Sequence, residues 1–312
     1  MNPAFSVVFL TTLLGAGQGL FLALYAVEVG AAGGMWASPA SDFYSWGSAI
    51  SVLLLGAGLL ASFFHLGHPE RAWRTATMWR TSWLSREVIV LPAFMALVAA
   101  YGWAHCQGSA LSMGLGIAGV VVCLLLFLST AMIYACIKFL QEWATPLTVV
   151  NFVLLGSASG VMLAAALAAV RGEPNTYGLG VAAIVLTLAG FVTRCASLYR
   201  NAELKPRSNL QSAIGINHPR IAQKAQGFMG GSFNTREFFH GRAPGTLRAV
   251  KWLFITGTFL LPLLLAGGAM DTGSSTLLVA AFLIQFAGLV AERWFFFAQA
   301  NHPQNLYYQA VS

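Results

Sequence analysis

Eight stretches of this 312-residue chain stay apolar long enough to cross a bilayer as helices, and little sequence is left for anything else. They run over about 5–28, 45–67, 86–105, 112–138, 147–170, 178–200, 249–270 and 274–300. Each approaches or exceeds the ~20 helical residues that a hydrocarbon core takes. Lipid supplies no hydrogen bonds, so a spanning backbone must be a helix or a closed barrel. None of the runs shows the dyad alternation of a barrel strand. Only 9% of the residues are charged, where a soluble domain has about a quarter. The expected fold is all-α: an integral membrane bundle of eight transmembrane helices, a single transmembrane domain over residues 1–312.

An even number of crossings puts both termini on one side. That near side collects Arg71, Arg74, Arg80 and Arg86 between helices two and three, Lys138 after helix four, and Arg293 late in helix eight. The connection between helices six and seven contributes the series from Arg194 to Lys251, leaving Arg171 as the one cation on the far side. The positive-inside rule makes the near side cytoplasmic, with both termini there. A net charge of +7 is explained by this topology and by anionic lipid headgroups, so membrane lipid and no nucleic acid is the expected company. The first apolar run lacks a basic leader and is too long for a signal sequence; it is expected to remain as helix one.

Cys106, Cys123, Cys136 and Cys195 are scattered, with no C-x-x-C spacing. Iron–sulfur and structural zinc sites need clustered thiolates, so no metal is expected on this chain and the thiols read as small buried groups. Residues 201–247 form a long connection, and segments of that length tend to be functional or disordered. Its later part, residues 227–241, mixes Phe, Gly and Arg, whereas disordered tails are poor in aromatics. Two readings stand side by side: a stretch lying on the headgroups, or a docking surface for a cytoplasmic partner.

Chemistry concentrates where helix two meets helix three. The segment Phe64-His65-Leu66-Gly67-His68-Pro69-Glu70-Arg71 precedes Arg74, and helix three opens with Ser85-Arg86-Glu87. His65 is expected on the last turn of helix two, with Gly67 and Pro69 ending it, and Glu87 at the start of the next helix. Ionisable groups at membrane depth are costly and count as functional by default; a structural histidine is the plainer alternative. Quinone chemistry moves two electrons and two protons at such a rim. A histidine can bond a quinone carbonyl and pass its proton, a carboxylate can relay the next, and arginines can balance developing charge. His65 and Glu87 are the candidate catalytic pair, and the candidate quinone-binding set adds His68, Arg71, Arg74, Gln18 and Arg293. Gln18 sits among Gly15, Gly17 and Gly19, a close-packing sequence. Glu292-Arg293 places two charges in an apolar helix, as a structural pair or a border of the quinone cavity, with Arg194 and Tyr199 as lesser candidates.

These residues resemble a known family. His65-Leu66-Gly67 with Arg71-Ala72, the opening Leu84-Ser85-Arg86-Glu87, eight helices, and a last helix containing Ala287-Gly288 and Arg293 are similar to the membrane-anchor subunit of dimethyl sulfoxide reductase. The resemblance implies a quinone-binding anchor, multi-pass in the bacterial inner membrane. It also implies two partners, a four-cluster iron–sulfur subunit and a molybdopterin catalytic subunit, with those cofactors on the partners only and His65 and Glu87 at the quinone site. The sidedness departs from that enzyme, whose catalytic arm is periplasmic, on the side of the histidine. Here the histidine falls on the basic side, which resembles instead the anchor of the cytoplasm-facing, membrane-bound sulfite dehydrogenase; residues 217–241 look like that branch too. Electrons would then run from sulfite at molybdenum, through the clusters, into ubiquinone or menaquinone. An anchor for a reductase of dimethyl sulfoxide or another S/N-oxide, oxidising quinol, is the alternative within the family.

Two other readings stay open. A b-type haem needs two axial histidines at matching depth, which His65 or His68 could provide with His218, His240 or His302. A transporter would place polar residues or broken helices near mid-membrane, whereas the ionisable groups here are expected to gather at one rim.

Overall fold

The computed structural model describes residues 1–64, 66–222, 224, 238–303 and 305. Eight helical spans cross the fold. They are α1 (Phe5–Ala32), α2 (Ser41–Phe63), α3 (Trp83–Cys106), α4 (Leu111–Ala135), α5 (Pro146–Arg171) and α6 (Thr176–Ala202), then a seventh span over Pro244–Thr272 and an eighth, α10 (Ser275–Ala298). The seventh is built from α8 (Pro244–Ile255), a π-helical turn over Thr256–Leu260 and α9 (Leu261–Thr272). The short α7 (Leu210–Ile214) lies in the connection before it.

Local chemistry sets the ends. Thr145 caps α5, its hydroxyl accepting from the Leu147 amide, with Pro146 in the first turn, where proline's missing N–H costs nothing. At the other end Gly172 adopts φ +70°, the left-handed stop that glycine takes without a Cβ penalty. Ser82 caps α3 by accepting from the Ser85 amide.

Several boundaries correct the sequence expectation. Helix two runs from Ser41 to Phe63 rather than 45–67, so it stops before His65, Gly67 and Pro69. The chain continues as a 3-10 helix over Pro69–Met78. The seventh span opens at Pro244 rather than 249, so Arg248 lies within α8. Much of residues 227–241, the expected docking stretch, lies outside the described residues.

The bundle is organised around α1, which packs against α2 and α5, while α5 also holds α6 and α10. Large apolar side chains such as Leu53, Leu124 and Leu264 are exposed, as expected of faces turned to lipid. Lipid gives apolar surfaces no reason to leave it, so close backbone approach has to hold such helices together. Here Gly15-x-x-x-Gly19 on α1 meets Gly156-x-x-x-Gly160 on α5; a Cβ on Gly15 would stand 3.1 Å from the Gly156 Cα, and one on Gly160 would strike the backbone of Gly19 and Leu20. Gly160→Val is expected to force the two helices apart at a cost of about 1–3 kcal/mol or more, read as a lower unfolding temperature in detergent. An unchanged temperature would show that the seam is not tight.

Alternation of the spans places the 3-10 segment, the α4–α5 connection, the α6–α8 connection and the residues after α10 at one end of the bundle. This is the basic, near end.

Candidate functional site

Glu87 is the predicted site residue that the fold treats most distinctively. Arg86, its neighbour, turns outward: the guanidinium donates to the Trp79 and Arg80 carbonyls at 2.9 Å each and lies over the Trp83 ring at 4.1 Å. Successive helical residues point about 100° apart, so Glu87 turns into the bundle, where it is 5% exposed. The Thr130 hydroxyl on α4 donates to its Oε1 at 2.5 Å. A carboxylate can accept more than one hydrogen bond. The result is a near-rim, buried carboxyl oriented among the described residues by the Thr130 hydroxyl.

The other predicted members separate into different settings. His65 lies outside the described residues. His68 and Arg71 converge on Glu70, with His68 Nδ1 3.0 Å and Arg71 Nε 3.7 Å from its Oε1, all three side chains well exposed. Arg74 lies over the Trp73 ring. These side chains thus engage Glu70 and Trp73 rather than Glu87. Gln18 donates its side-chain amide to the Cys123 carbonyl at 3.1 Å, tying α1 to α4 deep in the bundle. Tyr199 is exposed. Of the histidines considered for a haem, His302 stacks on Phe238 at 3.8 Å and the His240 ring accepts from the Arg242 amide.

Arg293 sits in a second cluster. Arg194 Nε and Arg293 Nη1 lie 2.7 and 3.3 Å from the two oxygens of Glu292, and all three residues are nearly inaccessible. Both contacts are close but poorly directed, leaving both Glu292 oxygens without a hydrogen-bond partner among the described residues. The Arg293 guanidinium also lies 3.8 Å from the centre of the Phe152 ring, an arrangement that stabilises a buried cation. Phe152 stacks with Tyr134, one helical turn beyond Thr130, at 5.7 Å. Tyr134, Trp143, Phe152, Phe296 and Phe297 belong to one buried cluster, with Phe152 touching both Arg293 and Tyr134.

A third cluster overturns the expectation that ionisable groups gather at one rim. At the far end, Glu28 on α1 accepts from the Ser112 hydroxyl at 2.6 Å and lies 3.4 Å from His105 Nε2. The imidazole is stacked on Tyr44 at 4.1 Å and met edge-on by Tyr101. Four helices are pinned together there. Sequence inspection passed over Glu28, yet the signal was present: one acid in an otherwise apolar run.

Against known proteins, residues 1–308 match the family described as DMSO reductase anchor subunit (DmsC). The chain is also 56% identical, over the full length of both proteins, to a sulfite dehydrogenase subunit of Allochromatium vinosum.

Proposed function

Since the chain belongs to the DMSO reductase anchor subunit family and is a multi-pass membrane anchor of an oxidoreductase complex, we propose that it is the quinone-reactive subunit of a sulfite-oxidising complex in the bacterial inner membrane. The observation that carries the quinone reading is Glu87, a buried carboxyl held by one hydroxyl at the basic end of the bundle. The substrate reading rests on the 56% identical relative, which is named for a sulfite dehydrogenase.

The donor set fits a quinone. Glu87 and Thr130 offer a proton-exchanging carboxyl and an orienting hydroxyl, and His65, next to the end of α2 in sequence, adds an imidazole. A quinone, when bound, supplies a carrier of two electrons and two protons. The chain's own task is to hold protons at the Glu87 oxygens and the His65 ring, and to keep water away through the apolar walls of α3 and α4. The partners in this reading are a four-cluster iron–sulfur subunit and a molybdopterin subunit, both on the near, cytoplasmic side. The sixteen near-side cations support that orientation. Residues 227–241 form the dock.

The test is purification of the complex through a tag on this chain. Co-purification of molybdenum and iron–sulfur subunits, with sulfite-driven reduction of a soluble quinone analogue, is expected. Deleting residues 227–241 is expected to release those subunits from the membrane. Quinol oxidation by dimethyl sulfoxide without sulfite activity would replace the substrate reading. Solute transport by the isolated chain in liposomes, with no redox partners, would end the proposal altogether.

A further inference from the structure

Two spaces at the near end of the bundle share Glu142 and Asn201 in their linings. The wider is a cleft of about 750 Å³ walled by Lys138, Lys205, Arg207 and His302, and it reaches Glu142 and Asn201. The same two residues line the mouth of a narrow cavity that passes Thr148, Asn151 and Ser197 and ends at Glu292. This inner space is about 10 Å³. That is about the minimum for one water and far below the ~300–1,000 Å³ of a ligand pocket. A quinone ring cannot occupy it as it stands, whereas a water molecule can.

Its walls are hydrophilic in the manner a water requires. Asn151 donates to the Ser197 hydroxyl at 2.7 Å and accepts from Thr193 at 2.8 Å, so α5 and α6 present an ordered polar strip. At the inner end, the Glu292 oxygens and two Arg194 nitrogens have no hydrogen-bond partner among the described residues. Buried polar groups of this kind are satisfied by water where room exists. At the mouth, burial lifts the Glu142 carboxyl above the usual carboxylate range.

We propose that this cavity is a water-filled proton inlet from the near aqueous face to the buried Glu292 triad. Protons pass from solvent to Glu142, then through water held beside the Thr148–Asn151–Ser197 strip to Glu292. No bond other than O–H is made or broken, and each donor is reprotonated from the near face. The inlet is lined by Phe152, whose ring stacks on Tyr134, one helical turn from Thr130. The inlet rests on the quinone reading for its purpose, because reducing a quinone to a quinol takes up two protons, but not for its existence.

The test uses the intact complex, depleted of quinone, under brief X-ray hydroxyl-radical labelling in ¹⁸O-water. Phe152 lines the cavity yet is only 3% exposed, and Phe127 is equally buried but stands outside it. Label at Phe152 should appear severalfold faster than at Phe127, and Asn151→Leu, which fills the passage with an apolar side chain, should remove that difference. Thr148→Val, nearly isosteric, should reduce it by a smaller factor. Equal labelling of the two phenylalanines in the wild type, or an unchanged ratio in both variants, would overturn the inlet. In sulfite-driven turnover, the Asn151→Leu complex should slow severalfold with a larger solvent deuterium effect, and small weak acids should restore it. Wild-type turnover and isotope effect in a variant that has lost the label would also overturn it. A wild-type complex that reduces no quinone while Phe152 still labels fast would instead defeat the functional reading alone.

Discussion

Glu292→Ala is expected to leave the anchor largely misassembled. It strands two guanidinium groups, Arg194 and Arg293, that are 2% and 4% exposed. Removing one partner of a buried ion pair costs about 3–5 kcal/mol, because the remaining charge loses its compensation without regaining water. A marginally stable fold tolerates little of that. The Phe152 ring beneath Arg293 offsets only part of the loss. The checking measurement is the yield of monodisperse complex and its unfolding temperature in detergent. The double variant Arg194→Met/Glu292→Met sharpens the test, since it removes a cation with its anion and fills the space with apolar volume. It should be markedly more stable than Glu292→Met alone. Equal stability of the two would show that the triad's charges are not coupled, and a Glu292→Ala protein as stable as wild type would refute the account of the cluster.

The second large effect is catalytic. Glu87→Gln keeps the volume and an oxygen that can still accept from Thr130, so assembly and unfolding temperature should stay close to wild type. What the amide cannot do is take up and release a proton. Proton transfer by a positioned side chain is worth roughly 10²–10⁴ in rate, and sulfite-driven quinone reduction should fall by about that factor. Reduction of the partner's clusters by sulfite alone should be untouched. His65→Ala is expected to lose quinone turnover in the same way while still assembling. Thr130→Val should have a smaller effect, because it frees the Glu87 carboxyl to rotate without removing its proton. Wild-type quinone turnover in Glu87→Gln would exclude this carboxyl from the site.

How much of this was readable in advance differs from one residue to another. Arg86-Glu87 was legible as a junction of loop and helix, but that Arg86 would turn out to Trp79 and Trp83 while Glu87 turned in to Thr130 depended on where α4 lies. His68 and Arg71 were grouped with Glu87 by proximity in sequence. The 3-10 geometry of Pro69–Met78 instead directs them to solvent and to Glu70. Gln18 stands among glycines of which Gly15 and Gly19 form the α1–α5 contact and Gly17 faces α2, while its amide reaches α4.

Number, order and alternating direction of the spans were determined by the sequence alone, because each depends on the length of an apolar run and on charges between runs. Which helices touch was not so determined. In an apolar solvent every face of an apolar helix is equally acceptable, so sequence periodicity does not single out a partner. Only the tertiary structure brings Glu28 to His105, sets Arg194 and Arg293 on one carboxylate, and leaves a water-sized cavity beside them. The physical reason is that a buried charge or polar atom must find its counterpart across helices rather than along one.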